Sequence, residues 1–251
     1  MMALQLLKRR HGSRKGRRVP APDESMFLSW YAADLIAGLS NNDPVSTWAD
    51  LCAGGYNLTQ GVAGQKPTFK TNVLNGLPGV YFDGGDMLAG AGQDWSASDK
   101  VHFWMVAHCL ASGTQLVFEH GTSYAVNGSM FVSVESPKKV ATHHYGGVSS
   151  NLTSVLSVLE TPCIYHCFHD KSRASDEIEI FRNAAVLAGD WGAYNNNTTG
   201  NFGNLANHLG ARYGTVFCFT GYVFELMYAL GDLSTLQVQS VDAYLMNKWG
   251  L

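Results

Sequence analysis

The chain has 251 residues, of which 46% are hydrophobic and 15% charged, and its formal net charge is −3. No run approaches the 18 consecutive apolar residues of a membrane-spanning helix, so the composition excludes that class of membrane protein. The charge is divided unevenly, because seven of the 17 Lys and Arg residues fall between Lys8 and Arg18 while all 20 carboxylates lie beyond them.

The first predicted element is a basic N-terminal arm over residues 1–24. Its partner-binding cations are Lys8, Arg9, Arg10, Arg14, Lys15, Arg17 and Arg18. Having almost no apolar side chain after Leu7, the arm cannot bury enough surface to offset its ordering entropy, so we expect a partner to order it. An acidic protein surface is favoured over nucleic acid, and a targeting segment or a solvated tail is the remaining alternative. No apolar segment of a signal peptide follows Arg18.

The body, residues 25–251, is predicted to form one large β-rich domain. Alternating or continuous apolar segments bounded by Gly, Asn and Ser are typical of strands. The clearest of these segments are 101–110, 115–119, 129–135, 162–169, 177–182 and 215–229. In the first segment, alternation places His102 and His108 on one strand face.

The five cysteines are odd in number, widely spaced and mostly set in apolar segments, which favours free buried thiols over a disulfide framework. They are Cys52, Cys109, Cys163, Cys167 and Cys218. This pattern indicates assembly in a reducing compartment.

The segment Cys163-x-x-His166-Cys167-x-His169 contains metal-ligand residue types, and His143 and His144 add two more. On a strand, however, Cys163, Cys167 and His169 face one way while His166 faces the other, so one ion could not collect all four. Core thiols and core histidines are therefore favoured over a zinc site.

Glu177 and Glu179 are the strongest candidates for enzyme chemistry. At positions i and i+2 of a strand they share a face, and paired carboxylates serve retaining glycosidases. A solvated strand face, with Ile178 and Ile180 turned inward, is the simpler interpretation, so no catalytic residue is predicted.

The segment 183–207 is rich in Asn, Gly and Ala and is predicted to be a surface loop or loose hairpin. Its aromatic and amide side chains suit stacking on a sugar and hydrogen bonding to it. The candidate glycan-binding residues are Trp191, Tyr194, Asn195, Asn196 and Asn197. The same residues would also suit packing on a neighbouring subunit.

Only the last fifteen or so residues have a helical pattern. Ser234-Thr235-Leu236-Gln237 forms a capping box, and apolar residues follow at helical spacing. These are Leu236, Val241, Tyr244, Leu245 and Trp249.

Taken together, several of these segments resemble one known family. The opening residues are Trp30-x-Ala32-x-Asp34, Trp48-x-Asp50 and Val80-Tyr81-Phe82-Asp83-Gly84-x-Asp86-x-Leu88. The closing residues are Gly221-Tyr222-Val223-Phe224-Glu225-Leu226-Met227-Tyr228 and Ala243-Tyr244-Leu245-x-x-Lys248-Trp249-Gly250-Leu251. In this order they resemble a concanavalin A-like, laminin-G-type jelly-roll domain over residues 27–251. The segment 178–184 resembles a family strand that usually ends in Asn-Gly, with Ala184 in place of the Gly.

The resemblance implies an all-β, two-sheet antiparallel jelly-roll sandwich with a short C-terminal helix, preceded here by the extended basic arm. Some lectins and laminin-G-type domains use calcium to arrange a sugar site, and the acidic residues that could serve are Asp34, Asp50, Asp83 and Asp86. A turn explains Asp83-Gly84-Gly85-Asp86 more simply. We therefore predict no cofactor or metal, with calcium as the weaker alternative.

The fold specifies function only loosely, because the same sandwich serves lectins, glycosidases, adhesion modules and virion components. Since such modules are frequent in bacteriophage virion proteins, the favoured hypothesis is a non-enzymatic capsid decoration or head-fibre protein assembled in the host cytoplasm. Its arm would bind capsid or other virion proteins, a homotrimer would suit a decoration site, and no membrane contact is expected. The alternative is a glycan-binding adhesion module for a host-surface glycan, and the third hypothesis is a glycoside hydrolase.

Overall fold

The fold is described from a computed structural model that covers residues 19–155, 157, 159–190, 197–213 and 216–251. Over these residues the chain forms seventeen strands and one α-helix. The elements in chain order are β1 (Ser29–Ala32), β2 (Thr47–Trp48), β3 (Leu58–Thr59), β4 (Thr68–Leu74), β5 (Leu77–Asp83), β6 (Leu88–Asp94), β7 (Lys100–Cys109), β8 (Gln115–His120), β9 (Met130–Glu135), β10 (Lys139–Tyr145), β11 (Ser149–Ser154), β12 (Cys163–Asp170), β13 (Ile178–Arg182), β14 (Ala185–Val186), β15 (Gly189–Asp190), β16 (Asn204–Leu209), β17 (Thr220–Leu230) and α1 (Thr235–Trp249).

The strands form two antiparallel sheets. Sheet A has the order β14-β13-β12-β7-β17-β5-β4, and β1 also pairs with β17. Sheet B has the order β15-β11-β10-β9-β8-β16-β6-β3-β2. The sheets enclose the main hydrophobic core, so the predicted two-sheet antiparallel sandwich with a short C-terminal helix is confirmed.

Strand β7 illustrates why the sequence forms this sandwich. Phe103 and Met105 point into the core between the sheets, while Trp104 and Val106 point to the opposite side of sheet A, where α1 packs. Because both sides of β7 are buried, its sequence is a nearly continuous apolar run. Each fully buried apolar side chain contributes about 1.5–3 kcal/mol to the free energy of folding.

Helix α1 covers the outer face of sheet A. It begins at Thr235, directly after the N-cap Ser234, whose predicted capping box with Gln237 is formed. It ends at Trp249, and the C-cap Gly250 has a φ of 70°, which suits a residue without a Cβ. Its inner stripe contains the buried residues Val241, Leu245 and Trp249. Leu236, which was expected to belong to this stripe, is 77% exposed instead.

Five of the six predicted strand segments begin and end within one residue of the observed strands. The last prediction starts too early, because β17 begins at Thr220 rather than at residue 215. The preceding backbone has a φ of 56° at Phe217, which is incompatible with an extended strand.

The basic cluster of the predicted arm, Lys8, Arg9, Arg10, Arg14, Lys15, Arg17 and Arg18, lies outside the described residues. The described chain starts at Val19, and a short 3-10 helix capped by Asp23 follows at Glu24–Met26. Within the described residues, no helix is long and apolar enough to cross a membrane.

Candidate functional site

Most of the predicted glycan-binding residues, Trp191, Tyr194, Asn195 and Asn196, lie outside the described residues. Asn197 is described and is exposed. The next residue, Thr198, is buried and bonds to Glu177 through both its backbone N and its hydroxyl. The described end of the predicted loop is therefore attached to the edge of the sandwich.

Glu177 and Glu179 do not share a face, so the prediction of a solvated carboxylate pair is wrong for Glu177. Strand β13 begins only at Ile178, after a φ of 54° at Asp176, and strand alternation therefore does not extend back to Glu177. The Glu177 side chain is fully buried, with one carboxylate oxygen 2.7 Å from His144 Nε2. Glu179 is 42% exposed and pairs with Arg173 at 2.7 Å.

The cysteines and histidines of β12 divide as the sequence predicts. Cys163 and Cys167 lie in the core between the sheets, and His169 Nε2 lies 2.8 Å from Thr142 Oγ1 of sheet B. His166 points the other way, where its ring stacks on Trp104 with 4.3 Å between centroids. All five cysteines are free. In the part of the chain that the structure describes, no three His, Cys, Asp or Glu side chains are grouped to hold a metal ion.

The four acidic residues considered for calcium have separate surroundings. Asp34 pairs with Lys248, and Asp50 accepts hydrogen bonds from the backbone N of Trp30 and other residues. Asp83 and Asp86 share one turn, in which Asp86 Oδ2 accepts from the Asp83 N and Asp83 Oδ1 accepts from the Gly85 N. These bonds agree with the turn interpretation.

The structure instead brings functional side chains together on the outer face of sheet B. Strand register aligns one row across five strands, in the order Asn151, His143, Phe131, Glu119 and His208. Their chain neighbours on these strands pack in the core, so alternation points the five side chains away from it. The row combines aromatic, imidazole, amide and carboxylate groups.

A cavity of about 170 Å³ opens over one end of this row, and we call it the outer-face cleft. Its lining residues are Tyr124, Phe131, His143, Ser149 and Asn151. The His143 and Phe131 rings stack with centroids 4.6 Å apart, and Tyr124 stands at the edge with 55% of its surface exposed. This volume is below that of sites for drug-sized ligands and suits one ring of a larger ligand.

Arg212 connects the outer-face cleft to the middle of the row. Its guanidinium carbon lies 5.4–5.7 Å from the ring centroids of Tyr124, Phe131 and Phe217, and its Nε donates to Glu119 Oε1 at 3.1 Å. Backbone strain accompanies this arrangement, because Phe217 has a φ of 56° and its carbonyl accepts a hydrogen bond from the Leu116 N. Such strain is typical of functional sites.

Three buried polar atoms on the row have no hydrogen-bond partner among the described residues. They are Glu119 Oε2, His143 Nδ1 and His208 Nδ1. Buried polar atoms in proteins are nearly always satisfied, and each exception calls for an explanation. Of these three residues, His143 also lines the outer-face cleft.

Burial also shifts the ionisation of this row. It raises the pKa of Glu119 to about 7, against the opposing effect of the Arg212 guanidinium. Burial, assisted by Arg212, lowers the pKa of His143 to about 4, and burial lowers the pKa of His208. At pH 8 both imidazoles are uncharged, and the Glu119 carboxylate forms an ion pair with Arg212.

The sequence analysis missed this site because its residues come from strands and loops that are distant in the chain. The one local signal is the isolated Glu119 in an apolar strand, since an unpaired carboxylate is rarely buried. One larger cavity beside α1 is lined by Asp34 and Lys248, which form an ion pair with each other.

No protein-family model matches the chain, and no curated protein matches its sequence. Solved structures do share its fold. The sialidase of Trypanosoma rangeli aligns with 92% of this chain at a TM-score of 0.53 and 10% identity. The binding domain of Paraclostridial Mosquitocidal Protein 1 aligns with 88% at a TM-score of 0.57 and 8% identity.

A third structure is the ligand-binding domain of Botulinum neurotoxin serotype D in complex with N-acetylneuraminic acid, which aligns with 90% of this chain at a TM-score of 0.54 and 7% identity. The alignments cover only 33% of the sialidase chain, 52% of the mosquitocidal-protein domain and 51% of the neurotoxin domain. At these identities the likeness establishes a shared β-sandwich fold.

Proposed function

We propose that this chain is a non-enzymatic glycan-binding module that holds one sugar ring in the outer-face cleft. The observation that carries the proposal is the combination of the exposed Tyr124 ring and the stacked Phe131 and His143 rings with the unpartnered Nδ1 of His143 in the same cleft. Sugars have apolar ring faces that stack on aromatic side chains and hydroxyls that need fixed hydrogen-bond partners.

Two of the solved structures with this fold support the proposal through the ligands bound in them. The neurotoxin domain was solved with N-acetylneuraminic acid, and the trypanosomal sialidase with a difluorinated nononic acid. The same type of sandwich therefore occurs in proteins that bind sugars.

The test is glycan-array binding followed by titration of the strongest ligand in solution. Tyr124→Ala should weaken binding about tenfold, which corresponds to about 1.4 kcal/mol, because it removes an exposed ring from the cleft edge. Leu236→Ala, on the exposed side of α1, is the matched control and should leave affinity unchanged. A silent array, or equal affinity in Tyr124→Ala, would overturn the proposal.

The earlier candidate residue Trp191 supplies a second arm of the same experiment. If Trp191→Ala abolishes binding while Tyr124→Ala has no effect, the sugar binds to the segment 191–197 rather than to the cleft.

A second role, attachment to a virion through the basic arm, is favoured by the charge division of the sequence. The arm carries seven cations, while the chain from Val19 onward holds 20 carboxylates and 10 basic residues. Several Arg and Lys pairs held at an interface add up, although each is weak alone. Co-sedimentation with undecorated bacteriophage particles should depend on residues 1–22 and weaken at high salt. Equal binding without the arm would remove this role.

A further inference from the structure

We infer that the outer-face cleft selects uncharged, hydroxyl-rich sugars over sugars that carry a carboxylate. This inference rests on the proposed function and names the ligand class of the same site. Three features support it: the unpartnered Nδ1 of His143, the ion pair of Arg212 with Glu119, and the residues that line the cleft.

The unpartnered atom on the lining of the cleft is His143 Nδ1. The neutral His143 ring presents an Nδ1 that accepts or donates a hydrogen bond according to its tautomer. A sugar hydroxyl satisfies either tautomer because it both donates and accepts, whereas a ligand carboxylate only accepts.

The guanidinium of Arg212 is already balanced by Glu119. Its Nε donates to Glu119 Oε1 at 3.1 Å, and the Glu119 side chain is fully buried. A ligand carboxylate drawn to Arg212 would therefore approach a second, desolvated carboxylate, and like charges in a low-dielectric site repel strongly.

The lining of the cleft contains no further cation to offset this repulsion. Its residues are Tyr124, Phe131, His143, Ser149 and Asn151, of which only the histidine is titratable near neutral pH. The groups facing Glu119 are Arg212 from the 211–217 segment, His208 from β16 and Phe131 from β9. Both histidines are uncharged at neutral pH because burial lowers the pKa of each.

The experiment compares sugars that differ only in the group at carbon 6, a hydroxymethyl or a carboxylate, namely methyl galactoside with methyl galacturonide and methyl glucoside with methyl glucuronide. Binding is measured by saturation-transfer NMR at pH 8 to the full chain. We expect the uncharged member of a bound pair to bind at least tenfold more tightly. Preference for the acidic member would overturn the inference.

Glu119→Gln tests the cause of this preference, and Glu160→Gln, at an exposed position, is the matched control. In Glu119→Gln the acidic sugar meets an Arg212 guanidinium that no carboxylate opposes, so the ratio of the uncharged-sugar affinity to the acidic-sugar affinity should fall at least tenfold. An unchanged ratio would overturn the inference. The thermal unfolding of each variant shows whether it is folded.

Lowering the pH from 8 to 6 gives a second readout that needs no variant. Protonation of Glu119 should reduce the preference of the wild type for the uncharged sugar over the acidic sugar, because the sugar carboxylate stays ionised at pH 6. If uncharged sugars bind and depend on Tyr124 but the ratio responds to neither Glu119→Gln nor pH, only the charge selectivity fails. If no sugar of any pair binds, the proposed function fails with it.

Discussion

Each sheet carries a buried carboxylate beside a basic side chain on its outer face, Glu225 with Lys248 on sheet A and Glu119 with Arg212 on sheet B. Glu225 accepts from the indole N of Trp30 at 2.7 Å and of Trp249 at 2.6 Å, and Lys248 Nζ lies 3.0 Å away. Glu119 accepts only from Arg212 among the described side chains, and its second oxygen has no partner there.

The difference between Glu225 and Glu119 follows from what covers the outer face of each sheet. On sheet A a bulge between Val223 and Glu225 turns both Phe224 and Glu225 outward, where α1 closes over them and supplies partners. On sheet B the covering segments are loops that leave Tyr124 and Phe217 exposed. Helix α1 therefore supplies hydrogen-bond partners to Glu225, whereas the loops over sheet B leave Glu119 with a single side-chain partner, Arg212, among the described residues.

Lowering the pH should have the largest effect on the free energy of unfolding, because it protonates groups on both outer faces and in the core. Burial lowers the pKa of His102, His120, His143, His144, His166, His169 and His208. The unfolded chain binds these protons more readily, so their stabilising contribution is present above pH 6.5 and is lost as the pH falls toward 4.

Burial also lowers the pKa of His108, which makes eight such histidines. Burial raises the pKa of Asp86, Glu119, Glu177, Glu225 and Asp242, and these five carboxyls oppose the histidines. We therefore expect a net loss of about 3 kcal/mol or more between pH 6.5 and 4, at about 1.4 kcal/mol per pKa unit. Urea denaturation at a series of pH values measures it, and constant stability over that range would contradict it.

Glu225→Gln should have the next largest effect on the free energy of unfolding and tests the outer face of sheet A. The amide cannot accept from both indoles and Lys248 at once, and breaking a buried ion pair costs about 3–5 kcal/mol. Urea denaturation at pH 7 gives the free energy of unfolding. Glu160→Gln should change it by less than about 0.5 kcal/mol, as exposed substitutions usually do.

Glu119→Gln should have a much smaller effect on stability and so sharpens the comparison. Since burial raises the pKa of Glu119 to about 7, the ionised carboxyl costs stability at pH 8 relative to the unfolded chain. The substitution removes that cost, and this gain offsets the loss of the ion pair with Arg212. The Arg212 side chain is 18% exposed, so its guanidinium keeps access to water. We expect a change within about 1 kcal/mol. A loss as large as that of Glu225→Gln would show that both faces are structural.

The sequence predicted the parts of the fold that depend on local signals. The run of β7 is apolar because both of its sides are buried, and the capping box of Ser234 and Gln237 lies within one helical turn. Glu177 was misplaced because the reversal of the backbone at Asp176 interrupts strand alternation, and sequence periodicity does not reveal such a reversal.

The site could not be predicted in the same way. Glu119 and His208 become neighbours only because β16 pairs with β8, although they are far apart in the chain. A bulge between Leu116 and Phe118 then decides which side of the sheet Glu119 occupies. Composition predicted Asn197 as a glycan-binding residue. The residues of the outer-face cleft are brought together by strand register instead, which composition does not reveal.

The smallest predicted effect concerns the turn after β13, where the sequence has Ala184 instead of the expected Gly. Asn183 and Ala184 have φ values of 47° and 64°, and the flanking residues Arg182 and Ala185 belong to a short hairpin that pairs Phe181 with Val186. Two positive φ angles define the hairpin turn that favours Asn-Gly, because a Cβ is strained there.

Ala184→Gly should therefore raise stability by about 0.5–1 kcal/mol, since relief of about 1–2 kcal/mol of strain exceeds the entropy of about 0.4–1 kcal/mol gained by the unfolded chain. Ala185→Gly, one residue later in an extended strand, is the matched control and should lower stability by about 0.5–1 kcal/mol. Urea denaturation measures both changes. Because the turn adjoins sheet A, sugar affinity should stay the same in both variants, and a change in affinity would mean that stability and binding are not divided between the two faces.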